Sequence, residues 1–483
     1  MFEAKPDAAS RPTVAFPRGF SWGLSTAAYQ IEGAVEAGGR GRSIWDRFSH
    51  TPGRIRNGDT GDVACDHYNR LEEDLDLLSR SGVGVYRFSI AWPRVQPAGQ
   101  GIANAQGLAF YDRLVDGLLA RGITPVPTLY HWDLPQALVD RGEDWASRLV
   151  VDRFADYAQI VARALGDRVG MWTTLNEPWV CAYLGYGLGV HAPGVRDFGQ
   201  AAAAHHHLLL SHAAAMEAIR ASQSAAKVGI ALNLMHHYPA SEHEADIAAT
   251  AMADAQLNAS FIDPLRGKGY PANLGEWSSR WLQPGLVHAG DLGRIAQPMD
   301  FISVNTYHPR WICAPDRLGE IRAAGFDGGN STGLSFGLAY RDVSPATAER
   351  TQMGWPIHAA GLRDLLQRVG GDFAGVPVYI SENGFAGADY PDQQGAVHDP
   401  DRIAYLDAHL RAAKQAIDAG VDLRGFWQWS FLDNFEWSFG YGMRFGLVYV
   451  DYPTRRRTPK SSFDWYAGVV RRNELPAVTG ARP

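Results

Sequence analysis

The sequence predicts an α/β fold: a single (β/α)8 TIM barrel whose long active-site loops leave the C-terminal ends of the strands. Three observations predict it. Eight apolar, strand-like runs alternate with stretches of helical spacing along 483 residues, the order that gives a parallel sheet. No linker, composition shift or short internal repeat divides the chain. Polar residues also collect at or just past the ends of the runs, at Gln30, His131, Glu177, Asn233, Asn305, Tyr307, Glu382 and Trp429, where such a barrel builds its active site.

Phe20 to Ser25 reads as the first strand, followed by Gln30, whose amide both donates and accepts. Tyr68, Leu71, Leu75 and Leu78 share a helical face, predicting a helix over Asp66 to Ser81 that Gly82 ends. Val83 to Ala91 is the second strand. Arg87 within it is costly to bury unless it meets an anion, either in a structural ion pair or at a catalytic carboxylate. Leu108 to Leu119 is the next helix. Ile123 to Tyr130 is the third strand, tipped by a hydrogen-bonding His131 and a stacking Trp132.

A helix near Leu149 to Leu165 leads to the fourth strand, Val169 to Thr173, and then to Thr174-Leu175-Asn176-Glu177-Pro178. The proline has no N–H and stops the ladder. Gly185-Tyr186-Gly187-Leu188-Gly189 reads as a glycine-rich loop without the spacing of a phosphate cradle. Ala201 to Ala221 is a long helix. Its His205-His206-His207 point about 100° apart and so do not ligate one metal. Lys227 to Leu232, tipped by Asn233, is the fifth strand, and Phe301 to Val304, tipped by Asn305 and Tyr307, the sixth. Val376 to Ser381, tipped by Glu382, is the seventh. A helix over Arg402 to Ala419 precedes the eighth, Leu423 to Trp429. Between the sixth strand and Trp355, a long stretch rich in Gly, Ser and Asp (Gly325 to Gly337, for example) reads as a lid or binding wall. Two strands that each end in Glu beside Asn direct two carboxylates, Glu177 and Glu382, at one pocket. Glycosidic-bond hydrolysis needs such a pair.

Composition narrows the class. The chain is 46% hydrophobic and 20% charged, ordinary for a globular protein, and its net charge of −7 argues against nucleic acid as a partner. Cys65, Cys181 and Cys313 are scattered, with no C-x-x-C, which fits a reducing, cytoplasmic setting. No signal peptide is visible, and no run approaches the roughly 20 apolar residues of a membrane span. Residues 1–14 are expected to form a flexible tail, 15–471 the catalytic barrel and 472–483 a C-terminal tail. Fifteen Trp residues suit a core and, near strand ends, a surface on which sugars stack.

Read together, these motifs resemble glycoside hydrolase family 1, the β-glucosidase family, from about Phe16 to Val470. The resemblance is carried by Phe20 to Gly33, Gly61 to Tyr68, Tyr86 to Arg94, Leu129 to Asp133, Thr174 to Trp179, Tyr379 to Gly384 and Trp429 to Tyr452. The last contains the highly specific Trp429-Ser430-Phe431-Leu432-Asp433-Asn434-Phe435-Glu436-Trp437. It implies Glu177 as acid/base and Glu382 as nucleophile, with Arg87 and Tyr307 as the partners of the nucleophile. Gln30, His131, Asn176, Glu436 and Trp437 would hold the hydroxyls of the non-reducing sugar, over a platform formed by Trp429. Trp132, Asn305 and Phe445 complete the expected substrate-binding set, and Asn233 and Trp355 would stand beside the leaving group. Two stretches depart from the family pattern: Thr306 replaces a common aromatic, and Pro356-Ile357-His358-Ala359-Ala360 follows Trp355 where Tyr-Pro-Glu is usual at the last three positions. Glu436 would repel a phosphate, so the implied substrate is an unphosphorylated sugar.

The implied reaction is a retaining hydrolysis of terminal β-D-glucosyl, β-D-galactosyl or β-D-fucosyl residues, with the carboxyls about 5 Å apart. Arg87 would keep Glu382 ionised, and that charge would raise the pKa of Glu177. No metal or cofactor is expected, because no His-x-His or carboxylate cluster falls at the strand ends. The oligomeric state is left open. Two other classes share the pattern: a catalytically silent sugar-binding barrel, and a transglycosylase that passes the sugar to alcohols.

Overall fold

The computed structural model describes residues 11–274, 282–328 and 340–477. Eight parallel strands close a barrel: β1 (Ser21–Ser25), β2 (Val85–Ser89), β3 (Thr124–Tyr130), β4 (Met171–Asn176), β5 (Lys227–Asn233), β6 (Phe301–Asn305), β7 (Val378–Glu382) and β8 (Leu423–Trp429). Closure comes from β8 beside β1, with Trp427 opposite Gly23 and Trp429 opposite Ser25. Principal helices follow the strands: α1 (Leu71–Ser81), α2 (Ala105–Ala120), α3 (Leu149–Leu165), α4 (Phe198–Ser222), α5 (Glu244–Asp254), α6 (Ala359–Asp372), α7 (Pro400–Asp418) and α8 (Ser461–Arg472).

Most of these helices bury one face, and α4 is buried nearly all round from Ala201 to Met216. On α3, Phe154, Tyr157, Val161 and Leu165 are buried at helical spacing, and each such side chain contributes about 1.5–3 kcal/mol. Alternation along β2 turns Val85, Arg87 and Ser89 to one side. Val85, Val126 and Trp427 cluster with Met171 and Tyr379 and plug the barrel floor, so Arg87 rests on an apolar layer and reaches up to the strand tips. Gly23 makes room for this floor, since a Cβ there would lie 2.5 Å from the Trp427 ring.

Pairing is irregular where it matters most. Register shifts between Thr173 and Asn176 on β4, and between Ile380 and Glu382 on β7. Such irregularities re-aim side chains at a strand end. Here they come just before the two glutamates.

Several boundaries differ from the sequence reading, each for a local reason. β4 runs on to Asn176, because Asn176 still pairs with Ala231; the Asn of the Asn-Glu-Pro motif therefore ends the strand, and Glu177 and Pro178 follow it. α1 starts at Leu71, not Asp66, since Ala64 and Asp66 take left-handed φ values of 48° and 57°. The expected glycine-rich loop begins as helix: Val180–Gly187 forms π-type turns. α4 starts earlier than expected, where Asp197 accepts from the N–H groups of Gly199 and Gln200.

The loops after β5 and β6 build an accessory four-stranded sheet, ordered Phe326–Gly328, Arg341–Pro345, Arg310–Cys313, His237–Pro239. Of the stretch read as a lid or wall, residues 329–339 lie outside the described residues. Below the barrel, Val14–Ala15 pairs antiparallel with Glu474–Leu475. No helix among the described residues is long and apolar enough to cross a membrane.

Candidate active site

A cavity of about 630 Å³ opens at the C-terminal ends of the strands. Of the residues singled out in the sequence, His131, Trp132, Glu177, Asn233, Tyr307, Trp355, Glu382, Trp429, Glu436, Trp437 and Phe445 line it. Arg87, Asn176, Asn305 and Gln30 stand behind this lining, all buried.

Arg87 organises the centre. Its Nη1 donates to Glu382 Oε1 at 2.6 Å, and its Nη2 donates to Asn176 Oδ1 at 2.5 Å. The anion that its burial called for is thus Glu382. Tyr307 Oη donates to the other carboxylate oxygen at 2.8 Å. Asn305 Nδ2 donates to Asn176 Oδ1 and to Glu177 Oε1, both at 2.9 Å. Ser381 Oγ donates to Asn305 Oδ1 at 2.6 Å. The two glutamates are thereby joined through Arg87, Asn176 and Asn305, groups from three different strands. Asn305 has both ends of its amide committed to protein partners, so it acts on substrate through its neighbours. Ser381 left no mark in the sequence, because its role appears only once β6 and β7 lie side by side.

The electrostatics separate the carboxyls. Burial raises the pKa of Glu177 well above the usual carboxylate range, and the charge of Glu382 adds to it. Burial also raises Glu382, but Arg87 opposes the rise first and the hydrogen bonds from Arg87 and Tyr307 next. Arg87 therefore offsets burial without cancelling it, and Glu177 keeps its proton to higher pH than Glu382. Burial and the adjacent Glu382 charge hold Tyr307 as a phenol, which matches its role as donor. Burial, then Glu382, pushes Glu436 up to about 8.

His131 is kept neutral by burial and by Arg87, both of which push its pKa down. Its Nε2 lies 3.0 Å from Asn176 Nδ2. Asn176 Oδ1 already accepts two bonds, so Nδ2 is the donor and Nε2 the acceptor. The imidazole proton then sits on Nδ1, which has no protein partner. Gln30 Nε2 donates to Asn434 Oδ1 and the Phe435 carbonyl at 3.0 and 2.9 Å. Its Oε1 is likewise unpartnered, as is Glu436 Oε2. Three buried polar atoms without protein partners, in residues the sequence assigned to sugar hydroxyls, are a set of ligand positions.

Aromatic packing sets the walls. Trp437 lies 4.6 Å from Trp132 and 4.4 Å from Trp45 between ring centroids. Trp429 packs with Met353, Met443 and Phe445 against Tyr307 and Trp355. The Trp429–Ser430 peptide bond is cis. Gly384 passes under this wall so closely that a Cβ would lie 1.8 Å from the Trp429 carbonyl oxygen. Three non-glycine lining residues hold left-handed backbone: Trp132 at φ 80°, Glu177 at 46° and Trp437 at 46°. Each costs about 1–3 kcal/mol and persists only where the surroundings over-determine it. Glu177 N–H donates to the Ala231 carbonyl at 2.9 Å, and Trp132 Nε1 to the Asn176 carbonyl at 3.0 Å.

The motifs, the barrel and this geometry converge on one family, and comparison with known proteins decides it. The model of glycosyl hydrolase family 1 matches residues 13–475. This chain belongs to that family. Family 1 relatives include β-glucosidase A of Thermotoga maritima, 45% identical over 95% of this chain and 98% of the relative. The bifunctional β-D-glucosidase/β-D-fucosidase of Bifidobacterium breve is 46% identical over 95% of this chain and 98% of its own length. Among solved structures, a family 1 β-glucosidase from Thermotoga maritima in complex with isofagomine lactam superposes with a TM-score of 0.89. It is 44% identical and covers 96% of this chain and 100% of that one.

The remaining candidates have plain structural roles. His205 stacks on Phe261 at 3.7 Å, His206 bonds Tyr270 and Asp291, and His207 bonds the Trp145 carbonyl. Among the described residues no three of His, Cys, Asp and Glu are grouped to hold a metal ion. The three cysteines are free and buried.

Proposed function

We propose that the protein is a retaining β-glucosidase. It would hydrolyse terminal non-reducing β-D-glucosyl residues, with β-D-galactosyl and β-D-fucosyl residues as further substrates. The observation that carries this reading is the unequal treatment of two facing carboxyls: Arg87 and Tyr307 hold Glu382 as an anion, while burial and Glu382 keep the proton on Glu177.

In the first step a Glu382 oxygen attacks the anomeric carbon as Glu177 gives its proton to the glycosidic oxygen. The C–O bond to the leaving group breaks, the aglycone departs as an alcohol, and the sugar remains as an ester of Glu382. The ester carries no charge, so Glu177 loses the repulsion that raised its pKa and becomes a base. It takes a proton from water, whose oxygen attacks the anomeric carbon and frees Glu382. The reaction balances without a metal or cofactor.

Asn176 positions the 2-hydroxyl, His131 Nδ1 donates to a neighbouring hydroxyl, and Gln30 and Glu436 accept from others above the Trp429 ring. Asn305 is a positioning residue for Asn176 and Glu177. The catalytic unit is the barrel, residues 15–471, with Val14 and Glu474–Leu475 pairing at its ends. Three free, buried cysteines support a cytoplasmic site of action.

The test is the anomer released first from a nitrophenyl β-glucoside, followed by NMR. β-Glucose is expected, and mutarotation should then produce the α form. α-Glucose appearing first would refute retention, and no hydrolysis across a panel of β-glycosides would refute the activity.

A further inference from the structure

The cavity wall supplied by the accessory sheet carries polar groups with no role in the steps above. Arg310 opens one of its strands and is only 6% exposed. Its Nε donates to Met235 Sδ at 3.2 Å, and its Nη1 has no hydrogen-bond partner. Asp342, on the adjacent strand, has an oxygen 3.6 Å from Arg310 Nε. That separation makes an ion pair but not a hydrogen bond. Arg310 and Asp342 both line the cavity, together with Asn233 and Trp355.

A buried guanidinium with an unused N–H is costly unless a ligand completes it. The ligand must suit three neighbours at once. An anionic group would satisfy Arg310 but meet the Asp342 carboxylate, and a cationic group would meet Arg310. A plain aryl ring would satisfy neither. Adjacent hydroxyls on a sugar ring satisfy both, since one oxygen accepts from the guanidinium while the next O–H donates to the carboxylate. Trp355 supplies a ring face for the same sugar.

We infer that Arg310 and Asp342 recognise neighbouring hydroxyls of a sugar leaving group, making short β-glucosyl saccharides, rather than aryl β-glucosides, the preferred substrates. The inference rests on reading the site as a β-glucosidase. It assigns specificity to a part of the chain that departs from the usual family motifs nearby, at Thr306 and after Trp355.

The experiment compares kcat and KM for cellobiose and for 4-nitrophenyl β-glucoside in wild type, Arg310→Met, Arg310→Lys and Asp342→Asn. Within each preparation the aryl substrate reports the fraction of folded, active enzyme, so the ratio of the two kcat/KM values is the readout. Arg310→Met should lower the cellobiose-to-aryl ratio at least about tenfold, as expected for losing a charge-assisted hydrogen bond. The change should lie chiefly in KM. Asp342→Asn should move the ratio the same way by less, and Arg310→Lys should restore part of it. An unchanged ratio in both Arg310→Met and Asp342→Asn would overturn the inference, as would equal losses on both substrates. Wild type that hydrolyses neither substrate would instead refute the β-glucosidase reading beneath it.

Discussion

Around Glu382 and Asn176 the side chains of neighbouring strand tips are hydrogen-bonded to one another, whereas on the accessory wall Arg310 and Asp342 approach without a hydrogen bond between them. Arg87, Asn176, Asn305 and Ser381 form one connected set, with bonds of 2.5–2.9 Å across β2, β4, β6 and β7. On the other wall the Arg310 guanidinium donates to a thioether and has a carboxylate 3.6 Å away. The difference teaches where each half gets its precision. The barrel side is preorganised by covalently anchored strand ends, so its groups are aimed before substrate arrives. The accessory side is completed by the leaving group. Chemistry and the identity of the transferred sugar belong to the first wall, and the choice of leaving group to the second.

The comparison can be broken or sharpened by substitution. The largest effect is expected where the walls meet. Glu177→Ala should lower kcat/KM by about 10²–10⁴-fold for poor leaving groups, but by far less for activated aryl leaving groups that need no proton. A uniform loss across a leaving-group series would remove Glu177 from the acid role. Next comes Asn305→Ala, which frees Asn176 and Glu177 together. Losing bonds to such groups costs about 1.5–3 kcal/mol, so steady-state kinetics should show kcat falling roughly 10–100-fold with the circular dichroism spectrum unchanged. Activity near wild type would mean that the connected set is ornamental.

Arg87→Lys tests the charge balance through pH. Arg87 lowers the pKa of Glu382, so weakening that contact raises it. Glu382 acts as the anion, and activity is lost as pH falls through its pKa; the acid limb of kcat/KM should therefore move to higher pH. A limb that stayed in place would place the control of Glu382 elsewhere. The smallest effect is expected on the leaving-group side of the cavity. Asn233→Ala removes one neutral polar group, worth about 0.5–1.5 kcal/mol, and should change kcat/KM only a few-fold, with the size depending on the aglycone. A loss independent of the aglycone would show that Asn233 serves the transferred sugar instead.

The barrel side was legible in the sequence because its signals are local. An apolar run such as Ile123 to Tyr130, followed at once by His131-Trp132, reveals strand and site residue together. Even there the exact reach of β4 was hidden, since Thr174 and Asn176 are polar and the pairings of Leu175 with Tyr130 and of Asn176 with Ala231 extend the strand. The start of α1 was hidden too, because left-handed φ at Ala64 and Asp66 leaves no periodic trace. Asn305 was read as a hydroxyl binder, but Ser381 and Glu177 claim its amide once the strands assemble. The accessory sheet was not legible. Its strands are three to five residues long, too short for alternation to show, and Arg310 meets Met235 and Asp342 only through long-range pairing.

The most direct test of the account is the fate of a Glu382→Gly variant given added azide and a β-glucoside with an activated leaving group. Hydrolysis should fall to near zero, and azide should enter the vacated face to restore turnover, yielding α-glucosyl azide. A β-glucosyl azide, or full activity without azide, would contradict the assignment of Glu382 as the nucleophile.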